Sequence, residues 1–458
     1  MLKRSFTGIL LIVLCILVAS GMIYAATPQP VKMADFKAAK INWQQAKGQT
    51  ITVAMNLGPE AEALQPYLKQ FTQLTGIKVD YQPYPELELH QKTFIDFTSH
   101  TGVFDVVMQD FMFTPQYAGA NYTIPLEPFI SNPKLTDDKW YKSNDFLKGL
   151  WSAVKYRGKV YAIPFTGETT LLMYRKDLLE AKGLKVPTTF DELWNVAKAL
   201  NDPPTIYGIA LRGQRGQGMN IFTWTQFFRG FGGNFFKDFP EDMTPTVNTP
   251  EAIKATEFYA NILKQYGPPG VANWTNMEVY AAQQQGKIAM TLDANAFGPI
   301  IDDPEKSKTA GKWGYAVIPG DKGGPQPAVY THCLSINNDS KKKTAAWLFV
   351  QWATSPQMTA IRAMATGVPP RASSWENPQF AKQMKHVGNG AYTTVTAKSL
   401  NIADGQYRPV FPHWREMGDI LGEAVQSVIA GSQTAEAALN KAQEDITAML
   451  VKNGYLKK

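Results

Sequence analysis

Cysteine is almost absent from this sequence. Its 458 residues include two, Cys15 and Cys333, so no disulfide framework holds the fold and no Cys-x-x-Cys is available for zinc or redox chemistry. Histidine is scarce as well. His90, His100, His332, His386 and His413 include no pair at the i, i+4 spacing that sets two imidazoles on one helix face, and no metal site is expected. There is no Gly-x-Ser-x-Gly elbow, and Gly213, Gly216 and Gly218 fit neither a phosphate loop nor a dinucleotide fingerprint, so neither nucleotide nor other cofactor is expected. Past the first thirty residues no stretch approaches the ~18 apolar residues of a membrane span. No repeat of ~20 to 50 residues appears, which excludes solenoids and propellers. The only run of like charge, Lys341 to Lys343, reads as a solvated helix start rather than a nucleic-acid surface.

What is present is a globular chain, 44% hydrophobic and 12% aromatic, too long for one ordinary core. Two domains are expected. At the start, Lys3 and Arg4 precede an apolar stretch from Gly8 to Ala19, and small residues collect at Ala25 and Ala26. That order reads as a secretory signal peptide over residues 1–26, with an uncleaved anchor as the other reading. Leu14 stands before Cys15, where lipid attachment needs a small residue, so no lipoprotein is expected. Losing Lys3 and Arg4 lowers the formal charge of +7 by two. Cys333, in an apolar strand-like run, reads as a buried, inert thiol.

From Pro28 to Gly48 the chain reads as a loose leader. Ile51 to Met55 then alternates as a strand. Leu64, Leu68, Phe71 and Leu74 recur at helical spacing up to Gly76, and Ile77 to Tyr81 and Phe104 to Met108 are further strands. A helix between strands predicts parallel βαβ construction, with ligand loops at the strands' carboxyl ends, here Asn56 and Asp110. Lys159 to Pro164 and Thr169 to Tyr174 form a strand interrupted at Phe165 to Glu168, as in a crossing between domains. Thr189 and Glu192 have capping-box spacing for a helix reaching about Leu200. Helices are also expected over Ala255 to Tyr266, about Lys342 to Thr354, and from Ala435 through Met449.

Acids and amides at strand ends, in an exported chain rich in Trp and Tyr, suit polyhydroxylated ligands. Carboxylates and amides exchange hydrogen bonds with vicinal hydroxyls, Arg donates in a fixed fork, and aromatic faces cover C–H patches. Asp110, Glu168 and Asp293 as paired carboxylates also leave an exported glycoside-processing enzyme open.

Several segments resemble the extracellular solute-binding proteins of bacterial ABC importers. They are Leu68 to Val79, Phe104 to Asp110 with Ile124 to Phe129, and, most specifically, Tyr156 to Phe165 continuing through Leu172 to Leu179 and Pro187 to Leu193. Tyr207 to Gly213, which contains Arg212, and Met290 to Asn295 resemble the subgroup that binds polyols and related small sugars. The resemblance covers about residues 50 to 450. It implies an α/β fold of two lobes, each with a central sheet flanked by helices, joined near Thr166 to Thr169, near Tyr330, and near Val368 to Arg371. The first lobe would hold residues 48–166 and 332–368, the second 169–329 and 371–458.

Carried over residue by residue, the resemblance implies a ligand site of Asn56, Asp110 and the adjoining Phe111, Glu168, Arg212, Asp293, Asn295 and Arg371. Trp274 is a further aromatic candidate, and Tyr330 and His332 stand where the subgroup often has two tryptophans. The implied activity is capture of a small carbohydrate or polyol and delivery to membrane permease subunits from the periplasm, by a monomer without covalent chemistry. Binders of peptides, polyamines or metal chelates share that fold and stay open as alternatives.

Overall fold

The computed structural model describes residues 32–457, apart from the side chains of Pro59 and Leu87. The expected signal peptide lies outside the described residues. The strands of the two main sheets are Thr50–Asn56 (β1), Lys78–Tyr84 (β2), Val106–Asp110 (β3), Ile163–Pro164 (β4), Glu168–Arg175 (β5), Met290–Ala294 (β6), Trp313–Ala316 (β7), Val329–Tyr330 (β8) and His332–Ile336 (β9).

The first sheet has the order β2-β1-β3-β9-β4. β1 runs parallel to β2 and β3, while β9 is antiparallel to β3 and β4. Between β1 and β2 lies the helix Leu68–Thr75, which buries Phe71 and Leu74 and is ended by Gly76 in the left-handed region. This is the βαβ unit expected from the apolar spacing. In the second sheet β5 is central, antiparallel to β6 on one side and to β7 and β8 on the other. β5 is apolar through its middle because both of its neighbours and both of its faces are covered, and it is buried at all but one residue.

The chain passes between the sheets at Phe165–Gly167 and again at Thr331. These passages hydrogen-bond to each other: Phe165 N–H donates to the His332 carbonyl at 2.8 Å, and His332 N–H donates to Thr166 Oγ1 at 3.0 Å. A third passage runs beside them, with Gly167 N–H donating to the Val368 carbonyl at 2.8 Å. The contact is so close that a Cβ at position 167 would stand 2.4 Å from the Pro369 carbonyl oxygen, which only glycine avoids.

The helices follow the apolar patterning. Phe190–Leu200 begins with the Thr189/Glu192 capping box, and Pro250–Tyr266, Lys343–Ala353 and Ala435–Lys452 occupy the remaining expected stretches. Residues 32–48 depart from the loose leader expected of them. Met33–Lys37 is helical, Phe36 and Trp43 are buried, and both rings meet Trp140 edge-on, while the Trp140 indole N–H donates to the Asp35 carbonyl at 2.8 Å. Two aromatics seven residues apart are too sparse to register as a periodic face, yet they are enough to dock a segment. Cys333 is fully buried, and burial pushes its thiol well above the usual range, leaving it inert. Among the described residues no helix is long and apolar enough to cross a membrane.

A candidate ligand-binding cleft

Strand register assembles the site. His332 opposes Asp110 across β9 and β3, and Tyr330 opposes Glu168 across β8 and β5. Residues far apart in the chain thus meet at the passage between sheets, at the carboxyl end of β3. His332 is the hub. Its Nε2 lies 3.5 Å from Asp110 Oδ1 and 3.4 Å from Asn56 Nδ2, and its Nδ1 lies 3.8 Å from Glu168 Oε1. Tyr330 stands edge-on to His332 with ring centroids 5.3 Å apart, and edge-on to Phe111 at 5.8 Å.

The cluster is electrostatically tense. Burial pushes the Glu168 carboxyl up to about 7, against the opposing pull of His332. For His332, burial works to lower the imidazole, but Asp110, Glu168, Glu60 and Glu86 together hold it above its ordinary value. Thr166 Oγ1 donates to Glu168 Oε1 at 3.2 Å, the one hydrogen bond this carboxylate receives among the described residues.

Arg212 and Asp293 form a second, self-contained group. Arg212 Nε donates to both Asp293 oxygens at 3.1 and 3.0 Å, its Nη2 donates to Oδ1, and its Nη1 donates to the Gly218 carbonyl at 2.7 Å. The guanidinium lies over Phe222, 4.6 Å from the ring centroid, and Phe222 in turn touches Tyr330 edge-on.

Three expected residues stand elsewhere. Arg371 is fully buried among loops: its Nε donates to the Thr354 carbonyl, its Nη1 to the Lys142 carbonyl and Asp145, and its plane covers Phe146 at 3.9 Å. That position after the paired prolines is therefore a structural anchor, not a cleft residue. Asn295 is also fully buried, its Oδ1 accepting from Thr169 N–H and its Nδ2 donating to the Tyr392 hydroxyl. Trp274 packs against both apolar cores, and its carbonyl accepts from the N–H groups of Gly213 and Gln214, so it supports the loop after Arg212.

The structure adds residues that sequence reasoning passed over. A cavity of about 660 Å³ is lined by Glu86, His90 and Asp110 on one wall and by Gln217, His413 and Arg415 on the other. That volume falls in the range of small-molecule sites. Arg408 is 1% exposed, donates through Nη1 to the backbone and side-chain oxygens of Gln217, and leaves Nε and Nη2 without a hydrogen-bond partner. Burial lowers it to about 10, with Tyr330 and Asp110 among the groups opposing that shift. Arg408 lies in no periodic pattern, so nothing in the sequence singled it out. Glu86 and His90 do stand at i, i+4 on the helix Glu86–Ser99, a signal available to a search for mixed acid and imidazole pairs.

Two lobes around a passage, with unsatisfied polar groups facing a cavity between them, define a protein that encloses a small polar solute. The chain belongs to the bacterial extracellular solute-binding protein family, whose sequence model matches residues 57–360. Members are binding proteins rather than enzymes, and the family implies a periplasmic or extracellular location. The mannitol-binding protein of Pseudomonas aeruginosa is 30% identical over 433 residues, which cover 89% of this chain and 95% of that protein. An ABC transporter solute-binding protein of Agrobacterium radiobacter, solved in complex with ribitol, superimposes with a TM-score of 0.78 at 31% identity, covering 87% of this chain and 98% of that one. One from Agrobacterium vitis with bound D-mannitol gives a TM-score of 0.75 at 29% identity, covering 90% and 100%.

Proposed function

We propose that this chain captures a small polyol in the cleft between its lobes and delivers it to the permease of an ABC importer. The observation that carries the reading is the pairing of unsatisfied opposites. Asp110, Glu168 and His332 converge on one side, and the buried Arg408 fork, within electrostatic reach of Asp110, keeps Nε and Nη2 without a hydrogen-bond partner. A polyol hydroxyl donates and accepts at once, so vicinal hydroxyls can give to the carboxylates and accept from the guanidinium in a single bound pose. The relatives that bind mannitol and ribitol support the same class. Closure about the three adjacent passages would bring both walls onto the ligand. Residues 1–26 would direct export.

A thermal-shift panel of mannitol, ribitol, erythritol and maltose tests this. A ligand at roughly 100 times its dissociation constant stabilises by ~2.7 kcal/mol. The expected result is a shift with at least one linear polyol and no release of reducing sugar from oligosaccharides. Absence of any shift across the panel overturns the reading.

A further inference from the structure

One group on the cleft wall is not explained by hydroxyl recognition alone. Glu86 and His90 project from one face of their helix toward Asp110, and a ligand atom from each of the three lies within 4.8 Å of the others. Yet the three do not satisfy one another. His90 Nε2 stands 4.0 Å from Asp110 Oδ1, too far for a hydrogen bond. Among the described residues, neither the Glu86 carboxylate nor the His90 ring makes a side-chain hydrogen bond. Donors about 2.0–2.2 Å from one shared ion sit roughly 3.0–3.5 Å apart, so a side-chain adjustment of about an ångström would close the set.

We infer that Glu86, His90 and Asp110 bind a divalent transition-metal ion of the zinc type, with its remaining coordination positions open to the cleft. One imidazole and two carboxylates suit zinc or manganese better than calcium, which takes oxygen donors alone. His332 serves as the positioning residue: its Nε2 stands 3.5 Å from Asp110 Oδ1, the oxygen that also faces His90, and its Nδ1 stands 3.8 Å from Glu168 Oε1, a carboxylate–imidazole–carboxylate chain of the kind that orients metal ligands. Arg408 and Arg415 stand within electrostatic reach of Asp110 and His90 and oppose a bare dication. The inference shares the cleft with the proposed function but does not require that a polyol be the ligand.

Titration calorimetry of untagged, EDTA-treated protein with zinc, manganese and calcium chlorides, in the absence of polyol, tests it. Zinc is expected to bind one per chain, and Glu86→Gln and His90→Ala are each expected to weaken it at least tenfold. His100→Ala, an exposed imidazole beside Asp339, should change nothing. Cobalt should give a visible absorption band that the same two variants abolish. Zinc affinity unchanged in both variants, or no binding of any ion up to about 1 mM, overturns the inference. Repeating the polyol panel in EDTA separates the two ideas. A polyol shift without ion binding retains the proposed function alone, whereas ion binding without any polyol shift retains the metal site alone.

Discussion

The two charged groups around the passage between lobes are built on opposite principles. Arg212 and Asp293 are matched: a buried bidentate pair, with the remaining guanidinium nitrogen occupied by the Gly218 carbonyl. Asp110, Glu168 and His332 are mismatched, standing 3.5 and 3.8 Å apart with two carboxylates sharing one imidazole. Both groups are removed from water, so both carry a desolvation cost. Only the first recovers that cost within the protein. The second does not, and on the proposed function a ligand in the cleft would supply what the protein withholds.

Breaking the matched pair should produce the largest effect. Arg212→Ala leaves the Asp293 carboxylate, 1% exposed, without its partner. The expected loss is about 3–5 kcal/mol of folding stability, measured by urea unfolding. Replacing both residues, as in Arg212→Met with Asp293→Leu, should recover most of that loss, since no orphan charge remains. If the single variant unfolds at the same urea concentration as the parent, the pair does not hold the fold and the contrast collapses.

Asp110→Asn should act the other way round. It keeps the shape but removes a charged acceptor from the mismatched group, and ligand affinity should fall by ~1 to 3 kcal/mol, or roughly five- to more than a hundredfold. Folding stability should change little, because the repulsion of Asp110 for Glu86 and its attraction for His332 go together with the charge. Calorimetry with the best polyol, paired with urea unfolding, reads both. An affinity unchanged within twofold would remove Asp110 from the site.

The same contrast explains what the sequence made legible. Strands and helices were readable because each declares itself within a few residues: the alternation of Ile51 to Met55, the Thr189/Glu192 box, the stripe from Ala435 to Met449. Asp110 was readable as a strand end. Its pairing with His332 was not, because register over that separation is set by the passages between sheets and leaves no local mark. Arg371 shows the converse failure. Its place after Pro369 and Pro370 resembled a site position, but Tyr141, Phe146 and Asp145 come from another part of the chain to enclose it. Arg408 was invisible because an arginine next to a tyrosine and a proline has no pattern, and only its unfilled Nε and Nη2 mark it.

The most direct reading of the mismatch is its dependence on pH. Burial raises Glu168 to about 7 from an ordinary 4.5, so between those values the folded protein holds a proton that the unfolded chain has released. Folding stability from this group is therefore complete below about pH 4.5 and lost as pH climbs to about 7. His332, also raised, contributes in the same direction: its charged form is favoured in the fold, and that contribution fades as pH rises past 6.5. Glu168→Gln removes the first slope and weakens the second. Ligand-free urea unfolding at intervals from pH 4.5 to 8 should show the parent losing stability relative to the variant across that window, with a constant difference above it. A difference that does not change with pH would mean that Glu168 ionises freely, as a solvated carboxylate does, and the mismatched group would then be as well satisfied as the Arg212–Asp293 pair.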